Sequence, residues 1–278
     1  MEIAETQNKA RIDAIIDAMT LFDDYLMSHV FDQNIEATEL LLSAILGRDI
    51  KVMRADGQVE LKNPKVKGRD ITLDIRAIDA DGKNIDIEVQ GNSAGANVHR
   101  ARYHSSMLDS RMLSQGQDFK ELKDSYVIFI YKRDKFQRGL PVYNIKRYIS
   151  ETGESFDDGS HIIYVNGNYR GNDKLGKLLE DFRQPNPENM HYTELASGMK
   201  HFKETEKGRD QMSEAVEEYA KEYAKEYAKE YAKEREERRQ ITNIQSLMEN
   251  VKFTLDQALD ALSIQGEERE YIKNKLQK

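Results

Sequence analysis

Apolar residues recur at helical spacing from Ile12 to Val30, with a break expected over Phe22–Asp24. Ile35–Leu46 (IEATELLLSAIL) is a clearer amphipathic helix, stopped by Gly47. The period then changes from helical to alternating. Ile50–Met53 and Val59–Leu61 read as short strands around Asp56-Gly57. Ile71–Asp79 and Asn84–Gln90 alternate on either side of Asp81-Gly82, the pattern of a β-hairpin with a tight turn. After a loop at Gly91–Gly95, Ala96–Leu113 reads as a helix. Ser125–Tyr131 (SYVIFIY) is apolar throughout, as a strand buried on both faces must be. Pro141–Ile149 and His161–Val165 are further expected strands. Leu175–Phe182 is a short helix, followed by a break at Pro185 and Pro187.

Beyond Met190 the pattern is helical. Glu-Tyr-Ala-Lys repeats four times between Glu218 and Lys233. Four residues turn slightly past one helical turn, so the tyrosines spiral and form no straight seam. Alanine supplies helix propensity, and charges lace the surface. Thr254 is an expected N-cap for LDQALDAL, and Gln265-Gly266 separates that helix from a last one. Three regions follow: a mixed α/β domain over 1–205, a helical spacer over 206–240 and a small helical module over 241–278.

Composition narrows the function. The mean hydropathy is −0.77, and no apolar run approaches the ~20 residues of a membrane span. The N-terminal residues lack a signal-peptide layout, so the expected location is the cytoplasm. The absence of cysteine excludes disulfides, thiolate metal sites and a cysteine nucleophile. A net charge of −8 is not that of an evident nucleic-acid binder, although local basic patches and bound cations decide such binding. His29, His99, His161, His191 and His201 have no metal-ligand spacing, and no glycine-rich phosphate loop is evident.

Candidate chemistry concentrates in LDIRAIDADGKNIDIEVQ, from Leu73 to Gln90. A strand places alternate side chains on one face. Asp86, Glu88 and Gln90 therefore share a face, and Ile85, Ile87 and Val89 share the other. Asp74, on the first strand, can meet Glu88 across the hairpin. Carboxylates brought together on rigid elements can hold Mg²⁺, which takes oxygen ligands. The competing reading is an exposed strand face whose acids only confer solubility and protect an edge. On the helix that follows, Arg100 and Arg102 are placed to clamp a phosphate, with Tyr103 beside them. The alternative there is a salt-bridged helix with a packed tyrosine.

Several stretches resemble the PD-(D/E)XK nuclease-like transposases, the Rpn-type recombination-promoting nucleases. They are TLFDDYLMSHVF (20–31), the ITLDIRAIDADGKNIDIEVQ hairpin, RARYHSSMLDSRMLSQGQDFKEL (100–122), SYVIFIYKRDKFQRGLPVY (125–143) and DDGSHIIYVNG (157–167). LGKLLEDFRQPNPENMHYTELA (175–196) and HFKETEKG (201–208) complete the series. The resemblance covers roughly residues 20–210 in the expected order. It implies a restriction-endonuclease-like α/β core, a mixed sheet flanked by helices with a helical C-terminal extension. It also implies Mg²⁺-dependent DNA cleavage, with Mn²⁺ as a substitute, in recombination, mobile-element or defence biology. By position, Asp74 and Glu88 are the catalytic carboxylates and metal ligands. Gln90 stands in the lysine position, and Asp24 is an outer metal ligand. His104 departs from the family, where a second tyrosine often follows Arg-Ala-Arg-Tyr.

The sequence thus leads to a metal-dependent DNA endonuclease. The alternative is a catalytically weak DNA-binding protein that keeps the nuclease fold. In either case the C-terminal helices are a candidate arm for homodimerisation.

Overall fold

The computed structural model describes residues 2–65, 67–90, 97–266, 269, 272, 273 and 276. For 2–7 and 218–238 it fixes the backbone only. Two compact units divide the chain, Met1–Val216 and Glu217–Lys278. No helix among the described residues is long and apolar enough to cross a membrane.

Three helices lead into the sheet: α1 (Glu2–Ala18), α2 (Asp24–Phe31) and α3 (Ile35–Leu46). The break between α1 and α2 has a local cause. The Asp23 carboxylate accepts the Thr20 N–H at 2.7 Å and folds the chain into a turn. Asn34 caps α3 by accepting from Ala37 N–H. Gly47 closes it at φ 66°, where a side chain would be strained.

The sheet comprises β1 (Val52–Leu61), β2 (Ile71–Asp79), β3 (Asn84–Gln90), β4 (Ser125–Tyr131), β5 (Val142–Ile145) and β6 (Ser160–Asn166). Its order is β1-β2-β3-β4-β6-β5. β3, β4 and β6 are parallel, whereas β1–β2, β2–β3 and β5–β6 are antiparallel. The expected mixed sheet flanked by helices is present, with β2, β3 and β4 at the expected residues. The expected break in β1 is not. Val52–Leu61 is one strand, and Asp56-Gly57 does not turn the chain. Gly57 lies instead against α2, where a Cβ would collide with the Ser28 carbonyl oxygen, and its N–H donates to Asp32. β5 is shorter than Pro141–Ile149, because its pairing with β6 ends at Ile145 opposite Ile162.

Between β3 and β4 lies α4 (Val98–Asp109), shorter than the expected Ala96–Leu113. Its expected start at Ala96 and the Gly91–Gly95 loop lie outside the described residues. α5 (Lys174–Arg183) and α6 (Thr193–Glu204) complete the α/β part. One face of the sheet carries the larger apolar core, with Ile16, Phe31, Leu42, Ile87, Ile128, Phe182 and Met199. The other packs Ala101, Met107 and Leu108 of α4 on Leu73, Val127, Phe129 and Tyr164. Full burial of β4 follows from being covered on both sides.

α7 (Glu206–Asn250) begins in the first unit, where Met212, Ala215 and Val216 join the larger core and Arg209 pairs with Asp13 and Asp17. The repeat tyrosines lie among the side chains that are not described. In the second unit Ile244, Ala258, Leu259, Ile264 and Ile272 form a separate small core. There α8 (Leu255–Ala261) starts at Thr254 with the reciprocal hydrogen bonds of a capping box.

Candidate active site

The β2–β3 ladder ends at Ile75 opposite Ile87, one residue short of Asp74 and Glu88. Beyond it the two carboxylates take over the role of strand carbonyls. Val89 N–H donates to Asp74 Oδ2 at 2.8 Å, and Asp74 N–H donates to Glu88 Oε1 at 3.3 Å. β2 also changes partners here. Ile71 and Leu73 pack beneath α4, while Ile75 and Ala77 pack in the larger core. The side chains of β2 change face at Asp74, which sets its carboxylate against Val89 N–H beside Glu88.

Asp86 and Glu88 lie on the sheet face that α4 covers, and both are 0% exposed; Asp74 is 8% exposed. An exposed, merely solubilising acidic face is therefore excluded. Two side chains of α4 reach down to the acids. Arg100 Nη2 donates to Glu88 Oε2 at 2.5 Å, and Arg100 Nε donates to His104 Nε2 at 3.3 Å. With Nε2 accepting, a neutral His104 ring carries its proton on Nδ1. It donates that proton to Asp86 Oδ2, 2.8 Å away. Helical spacing explains the pair, since positions four apart face the same way. Asp86, His104, Arg100 and Glu88 thus form a closed chain of contacts.

Burial sets the electrostatics. It raises the Asp74 carboxyl well above its ordinary range, and the neighbouring Glu88 charge adds to the shift. It does the same to Asp86, with Asp74 as the second cause. Glu88 is pushed up to about 8, first by burial and then by Asp86; His104 and Arg100 oppose the shift. Burial also holds the His104 imidazole below its usual value, which keeps the ring neutral. Among the described residues, three buried acids are served by one partly exposed guanidinium and are short of positive charge.

These residues fit a divalent cation. Asp86, Glu88 and His104 offer ligand atoms within 4.8 Å of one another. Asp86 Oδ1 is buried without a hydrogen-bond partner among the described residues. Carboxylate oxygens are the donors that Mg²⁺ and Mn²⁺ prefer, and His104 would join them only by giving up the Nδ1 proton it donates to Asp86.

The other sequence-derived positions are distributed around this centre. Asp24, exposed at the first turn of α2, is near enough that its charge raises Asp74. Gln90 is half-buried at the end of β3, opposite Tyr131. Arg102 is exposed on α4. Tyr103 bonds in another direction. Its hydroxyl donates to Arg69 O and accepts from Asn63 Nδ2, both at 2.6 Å, fastening the β1–β2 loop to α4.

Asp86 and His104 are the residues that sequence reasoning left out of the site. Alternation had already placed Asp86 on the Glu88 face. His104 carried the weaker signal of lying four residues after Arg100, which means nothing until α4 is known to cover β3.

A family model described as PD-(D/E)XK nuclease family transposase matches residues 21–258, a span that includes the whole sheet, α4 and every residue of this centre. No curated protein and no solved structure matches the chain. With most of its length matched, and with a mixed sheet that gathers its acids at one hairpin, the chain belongs to the PD-(D/E)XK nuclease family transposases.

Proposed function

We propose that this chain is a metal-dependent DNA endonuclease that hydrolyses phosphodiester bonds at the β2–β3 hairpin. The observation that carries the reading is the burial of Asp74, Asp86 and Glu88 side by side, with Arg100 as their only ion-paired cation among the described residues. A cost of that kind is kept where function needs it.

In this reading Asp74 and Glu88 would hold Mg²⁺, or Mn²⁺ in its place, with Asp86 beside Glu88 as a further carboxylate, and Asp24 would support the site from α2. When bound, the cation supplies Lewis acidity toward the scissile phosphate and lowers the pKa of a water. Gln90 orients water or a phosphate oxygen through its amide; it adds no positive charge where a lysine would. His104 holds Asp86 in place and donates its Nδ1 proton to it. Arg100 neutralises Glu88 and, with the exposed Arg102, is positioned to meet phosphate. Tyr103 contributes by fixing the β1–β2 loop beside the site. The protein acts in the cytoplasm, in recombination, mobile-element or defence processes. Pairing of two copies through the C-terminal helices would provide one site per DNA strand.

One observation favours the rival reading of a weakly catalytic DNA-binding protein with this fold. The Arg100 guanidinium sits on Glu88, where it meets the need for a cation. Incubation of supercoiled plasmid with Mg²⁺, Mn²⁺ or EDTA separates the two. The nuclease reading expects nicking or linearisation that requires metal and disappears in Glu88→Ala. Intact plasmid with every metal, from a folded protein that still binds DNA, would establish the rival.

A further inference from the structure

Asp74 and Glu88 lie toward one end of the sheet, and two loops at that end are rich in cations. Gln90, Tyr131 and Asn166 stand in register at the carboxyl ends of the parallel strands. The β4–β5 loop leaves from this edge; Lys132 N–H donates to Gln90 O at 3.0 Å, so the loop starts beside the hairpin. It reads KRDKFQRG and brings Lys132, Arg133, Lys135 and Arg138. On the other side, the β1–β2 loop joins Leu61 to Ile71, three residues before Asp74, and brings Lys65, Lys67 and Arg69.

None of these seven cations has an ion-pair partner among the described residues. The sole acid in the β4–β5 loop is consumed internally. Asp134 accepts from Phe136 N–H, Gln137 N–H, Gly139 N–H and the Tyr143 hydroxyl. The Tyr143 oxygen accepts in turn from Arg138 N–H and Leu140 N–H. The loop is held in shape by its acid while its cations face solvent or a shallow cleft lined by Arg133, Lys135 and Asn168. The β1–β2 loop is fixed as well, by Tyr103 on Arg69 O and Asn63. In a chain of net charge −8, two basic loops bracketing a cluster of buried acids form a local field of opposite sign.

We propose that these loops form the track for the DNA backbone, placing phosphates on both sides of the Asp74–Glu88 centre. The assignment rests on the nuclease reading of that centre and adds the surface that holds the substrate. From β1 to β4 the sheet spans three strand spacings, about 14 Å. That is the scale of a duplex groove, about 12 Å for the major groove. Duplex DNA is therefore the fitting partner.

The test is the salt dependence of binding of full-length protein to a short labelled mixed-sequence duplex in EDTA. One variant carries Lys132→Gln, Arg133→Gln, Lys135→Gln and Arg138→Gln; a second carries Lys65→Gln, Lys67→Gln and Arg69→Gln. The control removes equal charge at the opposite end of the sheet, with Lys51→Gln, Lys83→Gln, Lys120→Gln and Lys123→Gln. Each phosphate contact contributes about 0.9 to the slope of log affinity against log salt. The four-cation loop variant is expected to reduce the magnitude of the slope by about 3 to 4, and the three-cation variant by about 3. The control slope should match wild type. Equal losses in loop variants and control, unchanged slopes in both loop variants, or a wild type that does not bind the duplex would overturn the track. Glu88-dependent plasmid cleavage alongside unchanged slopes would leave the catalytic centre standing and remove only the track.

Discussion

Replacing Glu88 by glutamine should make the metal-free protein more stable as the pH rises. Glu88 is 0% exposed, and its folded-state pKa is pushed from 4.5 up to about 8. An acid whose pKa is higher in the folded than in the unfolded chain binds more protons when folded. Its contribution to stability is complete below the unfolded value of 4.5 and is lost as the pH climbs toward 8. One pH unit over that interval corresponds to about 1.4 kcal/mol for a single independent group. The full interval therefore sets a ceiling of about 5 kcal/mol. Asp74 and Asp86 share the same burial and titrate together with Glu88, so part of the loss persists in the variant. An advantage of about 2 to 4 kcal/mol for Glu88→Gln at pH 9, vanishing near pH 5, is the expected size. For a unit the length of Met1–Val216 that corresponds to a melting-temperature difference of about 5 to 15 °C. The assay is a series of thermal and urea melts in EDTA across that pH range, for wild type and variant. Mn²⁺ should then close most of the gap at pH 9 and put wild type ahead near pH 5. It would stabilise wild type by about 2.7 kcal/mol at a hundredfold excess over its Kd and leave the variant little changed. Parallel stability curves at all pH values, with equal Mn²⁺ effects, would refute the argument that burial raises this carboxyl and that a cation relieves the cost of ionising it.

Four further outcomes are expected. His104→Phe should weaken Mn²⁺ binding by about tenfold to a hundredfold, as loss of a supporting partner does, because Asp86 Oδ2 loses its donor; calorimetry with wild-type-like affinity would contradict this. Gly57→Ala should cost about 1 to 3 kcal/mol, since its Cβ meets the Ser28 carbonyl, and an unchanged denaturation midpoint would count against the observed packing of β1 on α2. Lys203→Met should cost about 3 kcal/mol or more, because Lys203 Nζ donates to the carbonyls of Asp17, Met19 and Pro185, which would be left without that donor; urea melts measure it. Thr254→Ala should lower the stability of the C-terminal unit by about 1 kcal/mol, read as faster amide exchange around α8 with no change around β4.

The hairpin was legible because alternation and an Asp-Gly turn agree over Ile71–Gln90, and β4 because seven apolar residues in a row leave little choice. The helix stop at Gly47 and the cap at Thr254 were equally local signals, and both lie where the residues direct. β1 misled because Asp56-Gly57 has turn chemistry. The glycine is needed instead for the approach of α2, a tertiary contact that no local pattern records. The candidate site was legible in part for the same reason. Asp74 and Glu88 follow from strand register and family resemblance. The link from Asp86 through His104 and Arg100 to Glu88 exists only once α4 lies across β3. Tyr103 shows the same limit. Its sequence neighbours are arginines, yet its hydroxyl is spent on the backbone of a distant loop.

The most direct test of the central claim is to grow crystals in Mn²⁺ and locate the ion by anomalous scattering in a preparation that has been assayed for plasmid cleavage. A peak is expected within coordination distance of the Asp74 and Glu88 carboxylates, with Arg100 drawn off Glu88, in protein that cuts DNA. An active preparation with no Mn²⁺ at these carboxylates and the Arg100–Glu88 pair intact would contradict it.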